Sequence, residues 1–441
     1  MPRPPHRGVH TARPAPPEPP SDATLPPMHR YQPFLPALPV PPLEHTVPLY
    51  LSSIAPHCTP AQLAAAQRDA RAFLASPLAA QLQDRLLARA AAEDAKGRSV
   101  QAAVDGVGGN WLADWWNSWA YNSVRDPVVP WVSYYYVHKD PDTPTPPERR
   151  AAELVRGAMA FRELVDTGAL APDKTRETPL DMSSFKYLFN STRYPEPDED
   201  WTKKFPPAPN GHVVLVRGNR FWKLAADGKA GGDGDLTLLR RAIAKIYRAS
   251  GPDSSGPAVG ALTSAPRDLW ARARPALLAA SPSGLNKRAL HAIDTAVIVL
   301  ALDAARPVTR EEIGWACWAG DGRGRWFDKH QFIVFDNGRS GFLGEHSAMD
   351  GTPTLRLNEF VLAARAAGRF DDGTSTSDGT RASTSTSTSD GTSPAAGTAA
   401  PAGPEPEPEE LIFELNDEVR GMIAQSEKMF DEVMQKHDMH V

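Results

Sequence analysis

The sequence predicts an α/β protein in which a mixed sheet is covered by helices, and three observations carry that expectation. Two hairpins are legible. Residues 212–216 alternate, turn through Arg217-Gly218-Asn219 and return along 221–224. Residues 332–335 turn through Asp336-Asn337-Gly338, whose asparagine and glycine tolerate left-handed backbone, and return along 339–343. The continuous apolar run 296–302 reads as a strand buried on both faces. Helical segments fall between these strands without strict alternation, which favours a mixed sheet over a purely parallel one.

Composition bounds the rest. At 441 residues the chain is long enough for more than one domain. Its 44 prolines exceed the usual share of about 5%, and much of the excess sits in two segments that cannot build a core. Net charge is -5, from 48 basic and 53 acidic residues closely interspersed. No basic stripe offers a footprint for nucleic acid. Cys58 and Cys317 are too few for a disulfide framework and lack metal-pair spacing, so no metal is expected. No apolar run approaches the roughly 20 residues of a membrane span, and no secretory h-region precedes the fold. The expected protein is soluble and intracellular, in the cytoplasm first, with mitochondrion or peroxisome as alternatives.

Taken in order, residues 1–27 are a Pro-rich N-terminus expected to be disordered. Residues 28–109 hold an extended, proline-punctuated strap (Pro33, Pro36, Pro39, Pro41, Pro42) and then helices. Thr59-Pro60-Ala61-Gln62 has capping-box spacing with proline at the first helical position. Leu63, Ala66, Ala70, Phe73 and Leu74 then share one face, and Leu78, Leu82 and Leu86 continue the pattern. Residues 92–109 read as a loop, and 110–121 as a tryptophan-rich helix. The unit 110–368 carries the sheet and the chemistry, with a long amphipathic helix through Leu154, Ala158, Phe161 and Val165 and a proline-capped one starting at Thr352-Pro353. Residues 369–410 form a low-complexity linker, and 411–441 are periodic and helical again.

One local pattern points to chemistry. Glu345-His346-Ser347-Ala348-Met349-Asp350-Gly351 lies where a strand leaves the sheet, so rigid backbone would hold the His346 ring at a cleft. Imidazole titrates near neutral pH, as a general base needs. Asp350 could orient that ring, or brace the turn by pairing with an arginine such as Arg325. Glu345 would face the other way into a structural ion pair. Spacing alone equally allows a surface histidine beside a turn aspartate.

A wider set of motifs separates those alternatives. Arg325-Trp326-Phe327-Asp328-Lys329, Gln331-Phe332-Ile333-Val334, Gly338 and Glu345-His346 resemble the catalytic block of the carnitine/choline acyltransferase family. Asn110-Trp111-Leu112-Ala113-Asp114-Trp115-Trp116, with Ala120-Tyr121, Arg125 and Pro127, resembles its tryptophan-rich signature. Phe189-Asn190-Ser191-Thr192-Arg193 and Leu262-Thr263-Ser264 with Arg267 and Trp270 follow in family order, from Tyr31 to Gly368. The resemblance implies the N-domain of a coenzyme A-dependent acyltransferase and an acyl transfer between coenzyme A and carnitine. Coenzyme A is then a co-substrate, with no tightly bound cofactor. His346 matches the family's base, Asp350 its acidic neighbour, and Trp116 and Tyr121 its carnitine pocket. Core aromatics are the competing reading for the latter two, and core is the expectation for Trp111, Trp115 and Trp119.

Against the family pattern, Phe327-Asp328-Lys329-His330-Gln331 is one residue short before the strand. Within a strand that would flip every later side chain. The sequence also ends where the family's second half, with its coenzyme A site, is expected. The chain therefore reads as the truncated half of a short-chain (acetyl) carnitine O-acyltransferase, inactive alone, with the missing half as a separate chain among its expected partners. The alternatives are a non-catalytic remnant that serves as an interaction module, or a choline or medium-chain transferase.

Overall fold

The structure is a computed structural model that describes residues 20–97, 99, 102, 105, 108–140, 144–226, 234–251, 255–369 and 405–440. Of the two segments expected to be disordered, 1–27 and 369–410, residues 1–19 and 370–404 lie outside them. The chain divides into two compact units, residues 1–112 with 167–183, and residues 113–166 with 184–441.

The first unit begins to bury side chains at Leu25, Met28 and Tyr31. The Met28 N–H donates to the Gly168 carbonyl (3.0 Å). Helices Leu43–Ile54, Pro60–Leu74 and Pro77–Gly97 follow. The second is capped as expected: Thr59 Oγ1 accepts the Gln62 N–H and Gln62 Oε1 accepts the Thr59 N–H. The first helix was not expected, since Pro48 lies inside it, and the third runs through residues 92–97 of the expected loop. Trp111 closes the strap by donating its indole N–H to the Leu38 carbonyl (3.1 Å). Strands β2 (Lys174–Thr175) and β3 (Thr178–Pro179) form a small hairpin here.

The second unit is built on a seven-stranded mixed sheet, which fits the expected fold class. Its strands are β1 (Tyr134–Val137), β6 (His212–Arg217), β7 (Arg220–Ala225), β8 (Val299–Asp303), β9 (Gln331–Phe335), β10 (Ser340–Gly344) and β11 (Glu409–Leu411). Their order is β1-β10-β9-β8-β6-β7-β11. The central β6, β8 and β9 are parallel, and the two expected hairpins flank them antiparallel. A separate ribbon pairs β4 (Ser191–Tyr194) with β5 (Trp201–Lys204).

Period-two alternation sends Val214, Val216, Val299, Ala301, Ile333 and Phe335 into two apolar clusters. Helices Arg267–Ala279, Leu285–Thr295 and Arg310–Trp318 contribute to these clusters. Elsewhere helix Pro147–Asp166 packs on Gly351–Ala366, with the Phe161 and Phe360 rings 5.2 Å apart. A Cβ at Gly157 would come within 2.7 Å of Val361, so glycine permits that approach.

The C-terminal segment, expected to be periodic and helical, belongs to this unit. β11 adds an edge strand to β7, and Glu410 takes a bidentate pair from Arg220 (2.6 Å on both arms). Helix Asp417–Met434 buries Val419, Ile423, Ser426, Phe430 and Met434. Among the described residues no helix is long and apolar enough to cross a membrane.

Candidate active site

The shortened connection before β9 falls in a turn over residues 327–330, not in the strand, so the register of β9 is undisturbed. β9 hands the chain through the Asp336-Asn337-Gly338 turn, with Gly338 at φ +79°, to β10. β10 keeps its pairing with β1 up to Gly344, opposite Tyr134. His346 comes two residues after that last pair. Gly344 is required there, because a Cβ would sit 2.4 Å from the Tyr134 ring.

The His346 ring is held on three sides. Its Nδ1 lies 3.3 Å from the Val132 carbonyl, which can only accept. Nδ1 therefore carries the proton and Nε2 keeps a lone pair. The Tyr121 ring centre stands 4.5 Å from the imidazole, and the Tyr134 ring meets it edge-on at 5.1 Å. Tyr134 is itself fixed by a hydroxyl–hydroxyl hydrogen bond to Thr354 (2.8 Å), and burial raises its pKa, so it stays a neutral group. Nε2 is buried without a hydrogen-bond partner among the described residues. Asp350 Oδ1 is 3.5 Å away, too far for a hydrogen bond.

Asp350 does more than face the ring. It caps helix Gly351–Ala366, its Oδ1 accepting the Gly351 N–H (2.7 Å). The helix thus starts before Thr352-Pro353, the expected cap. Arg325 does not meet Asp350. Its guanidinium donates to Asp303 (2.5 Å) and to the Ala316 carbonyl (2.9 Å). Asp303 pairs with Phe335 in register, while the exit toward His346 lies opposite Gln331. Four residues of strand, about 13 Å, separate the two ends.

Glu345 faces away from His346 into a buried ionic cluster, as expected. Its carboxylate accepts from Ser347 Oγ (2.6 Å) and stands 3.5 Å from Arg193. Burial raises its pKa against the pull of Arg193 and the Ser347 hydroxyl. Arg193 also donates to Asp200 (2.7 Å) and to the Tyr121 carbonyl (2.8 Å), tying the aromatic wall to the strand exit. Asp200 takes Arg267 as well (2.6 Å). Burial pushes its carboxyl up, but Arg267 and Arg193 outweigh that and hold it below the usual range.

The tryptophan-rich segment departs from the single helix expected. Ala113–Asn117 is a short α-helix and Ser118–Asn122 a π turn. That wider turn carries Tyr121, and such turns often mark functional positions. Trp116 is 48% exposed, with its ring 5.7 Å from Trp119. Trp115 and Trp119 are exposed too, so of the three tryptophans expected in the core only Trp111 is buried. Tyr134, Val132, Arg193 and His330 had no site role in the sequence-based expectation. The aromatic run Tyr134-Tyr135-Tyr136-Val137 is itself a strand signal. Nothing in the sequence marks a carbonyl such as that of Val132.

The family model described as choline/carnitine O-acyltransferase matches residues 38–441. The mitochondrial carnitine O-acetyltransferase of Saccharomyces cerevisiae is 33% identical over 342 residues, covering 74% of this chain and 48% of that protein. Human carnitine O-acetyltransferase is 28% identical over 355 residues (75% and 53%). Human peroxisomal carnitine O-octanoyltransferase is 29% identical over 350 residues (75% and 54%). The chain spans about half the length of these curated relatives. It belongs to the choline/carnitine O-acyltransferase family.

Proposed function

We propose that the protein carrying this chain is an acyl-CoA-dependent carnitine O-acyltransferase in which His346 is the general base. The observation that carries the reading is the His346 ring itself. Its Nδ1 proton is committed to the Val132 carbonyl, and its Nε2 lone pair is shielded, unpartnered and walled by Tyr121 and Tyr134. Nε2 takes the proton of the carnitine hydroxyl while the oxygen attacks the thioester carbonyl. As the C–S bond breaks, the same proton passes to the departing coenzyme A sulfur. No covalent enzyme intermediate is formed, and coenzyme A acts as co-substrate. Between the two transfers the proton rests on His346, with Asp350 Oδ1 3.5 Å from Nε2.

Half-exposed Trp116 and Tyr121 are suited to a quaternary ammonium, which aromatic faces attract. Exposure of Trp116 supports this role over that of a core filler. Short-chain (acetyl) transfer is the preferred reaction, supported by two relatives named as acetyltransferases. The octanoyltransferase relative supports medium-chain transfer as the second reading. An acyl-CoA donor places the reaction inside the cell.

The test is a transfer assay on the whole protein with acetyl-, octanoyl- and palmitoyl-coenzyme A, with and without His346→Ala. The substitution is expected to lower kcat by about a thousandfold or more with little change in KM. A loss below about tenfold would mean that another group takes the proton. A maximum on palmitoyl-coenzyme A would overturn the short-chain assignment.

A further inference from the structure

Where β10 ends, the backbone that delivers His346 loses its sheet partner. Gly344 is the last residue paired with β1. The next N–H, that of Glu345, lies in the interior and needs an acceptor, because an unmet buried donor is destabilising. A side chain meets it: His330 Nδ1 accepts the Glu345 N–H at 3.1 Å. His330 is the last residue of the turn that precedes β9, so the two strand ends are joined by a side chain where the ladder stops.

The bond requires a neutral His330 with its proton on Nε2, and the surroundings enforce that. Burial, then the Lys329 ammonium, then His346 push its pKa down to about 3. The charged groups around it are Lys329, Asp328 and Glu345, which share with its ring the lining of a small polar pocket. Lys329 is committed elsewhere, its Nζ donating to the Ser191 (2.7 Å) and Asp294 (3.0 Å) carbonyls. Glu345 is committed to Ser347 and Arg193. The Phe342 ring, 5.7 Å from the imidazole, packs beside it. None of these groups replaces His330 as acceptor for the Glu345 N–H.

We propose that His330 is a positioning residue for the acyl-transfer base: by accepting the Glu345 N–H it fixes the strand exit that aims His346 between Tyr121 and Tyr134. This rests on the reading of His346 as the base. His330 touches no substrate and acts through one backbone bond. An error of about 1 Å at a reacting group costs about a hundredfold in rate, so loss of this anchor is expected to appear in kcat rather than in KM.

Two substitutions in the whole protein separate positioning from bulk packing. His330→Leu fills the site without an acceptor, whereas His330→Asn restores one, since its Oδ1 can stand where Nδ1 stood. The first is expected to lower kcat by about 10- to 100-fold with KM for both substrates within about threefold. The second is expected to recover most of the rate. Should the leucine variant not fold, the flexible apolar His330→Met takes its place. Amide hydrogen exchange at Glu345 provides a readout that does not depend on catalysis. Exchange should quicken by about tenfold or more in the leucine or methionine variant and not in the asparagine one.

Equal kcat in wild type and the apolar variant, or an asparagine variant as slow as the apolar one, overturns the proposal. So does unchanged exchange at Glu345. Failure of the base assignment would look different: His346→Ala would retain activity while the exchange difference persisted.

Discussion

The Asp350 carboxylate serves two neighbours, and magnitudes decide which matters more. As helix cap it accepts the Gly351 N–H at 2.7 Å, a role worth about 1 kcal/mol. As partner of His346 it stands 3.5 Å from Nε2, but its side chain is 88% exposed and water screens the pair. Such pairs contribute about 0–1 kcal/mol. Asp350→Asn keeps an acceptor and removes the charge. It should leave the denaturation midpoint unchanged and lower kcat by no more than about fivefold. Asp350→Ala should add a stability loss of about 1 kcal/mol. A thousandfold fall in kcat for the asparagine variant would instead make the carboxylate central to the proton transfer. The strand exit that carries His346 was legible from the hairpin that precedes it, whereas the helix start was expected at Thr352-Pro353 and falls at Gly351, capped by Asp350. Arg325 was not placed correctly, since nothing in its spacing from Asp350 tells that its guanidinium reaches the Asp303 end of β8. The His330 contact was hidden for a similar reason: its partner is a backbone N–H, and an acceptor histidine looks like any other histidine in sequence.

Among the elements, helix Asp417–Met434 shows what periodicity tells and what it leaves out. Val419, Ile423, Ser426, Phe430 and Met434 recur on one face, so its amphipathic character was readable. Its partner was not, because the residues it meets come from distant parts of the chain: the edge strand β11 precedes it, and Arg323 reaches Glu427 (2.7 Å) and Asp431 (3.2 Å). Those pairs are partly exposed and contribute little. The apolar face therefore carries the attachment. Phe430 lies against the Phe327 ring, with centroids 6.3 Å apart, and over Gly322, where a Cβ would stand 2.4 Å from it. Phe430→Ala should cost about 3–5 kcal/mol in denaturant unfolding. Arg323→Ala should cost less than about 1 kcal/mol. Equal costs would mean that the helix is held by charge rather than by packing. The π turn at Ser118–Asn122 was illegible for another reason, since the tryptophan pattern fits a continuous α-helix equally well and only the tertiary context selects the wider turn.

At the scale of the whole sheet-bearing unit, buried imidazoles couple folding to pH. His138 follows β1 and is enclosed between β10 and helix Gly351–Ala366. Its Nδ1 pairs with the Ser340 hydroxyl (2.8 Å) and its Nε2 with Asn358 Oδ1 (2.6 Å). Asn358 Oδ1 only accepts, so Nε2 carries the proton and the ring is neutral. Burial, then the Arg150 guanidinium, lower its pKa to about 3, against the opposing Asn358 hydrogen bond. Glu153 and Arg365 belong to the same charged group around Arg150. In the unfolded chain the ring titrates near 6.5. Between those values the unfolded state binds more protons than the folded one, so stability rises with pH through this window. His138's contribution is fully present above about pH 6.5 and is lost as pH falls toward 3, by about 1.4 kcal/mol per pH unit. His330 acts in the same direction, whereas Glu345 and Asp328, whose pKa values are raised, act in the opposite one. The total acid limb therefore mixes signs, and a difference measurement isolates one ring. Urea unfolding of wild type and His138→Gln, followed from pH 7 to pH 4.5, should show the variant losing about 2–3 kcal/mol less over that interval. The variant starts lower at pH 7 because the Ser340 contact is weakened, but that offset does not affect the slope. Parallel pH profiles would mean that His138 is already protonated in the folded protein, and the buried, neutral ring between β10 and its covering helix would have to be abandoned.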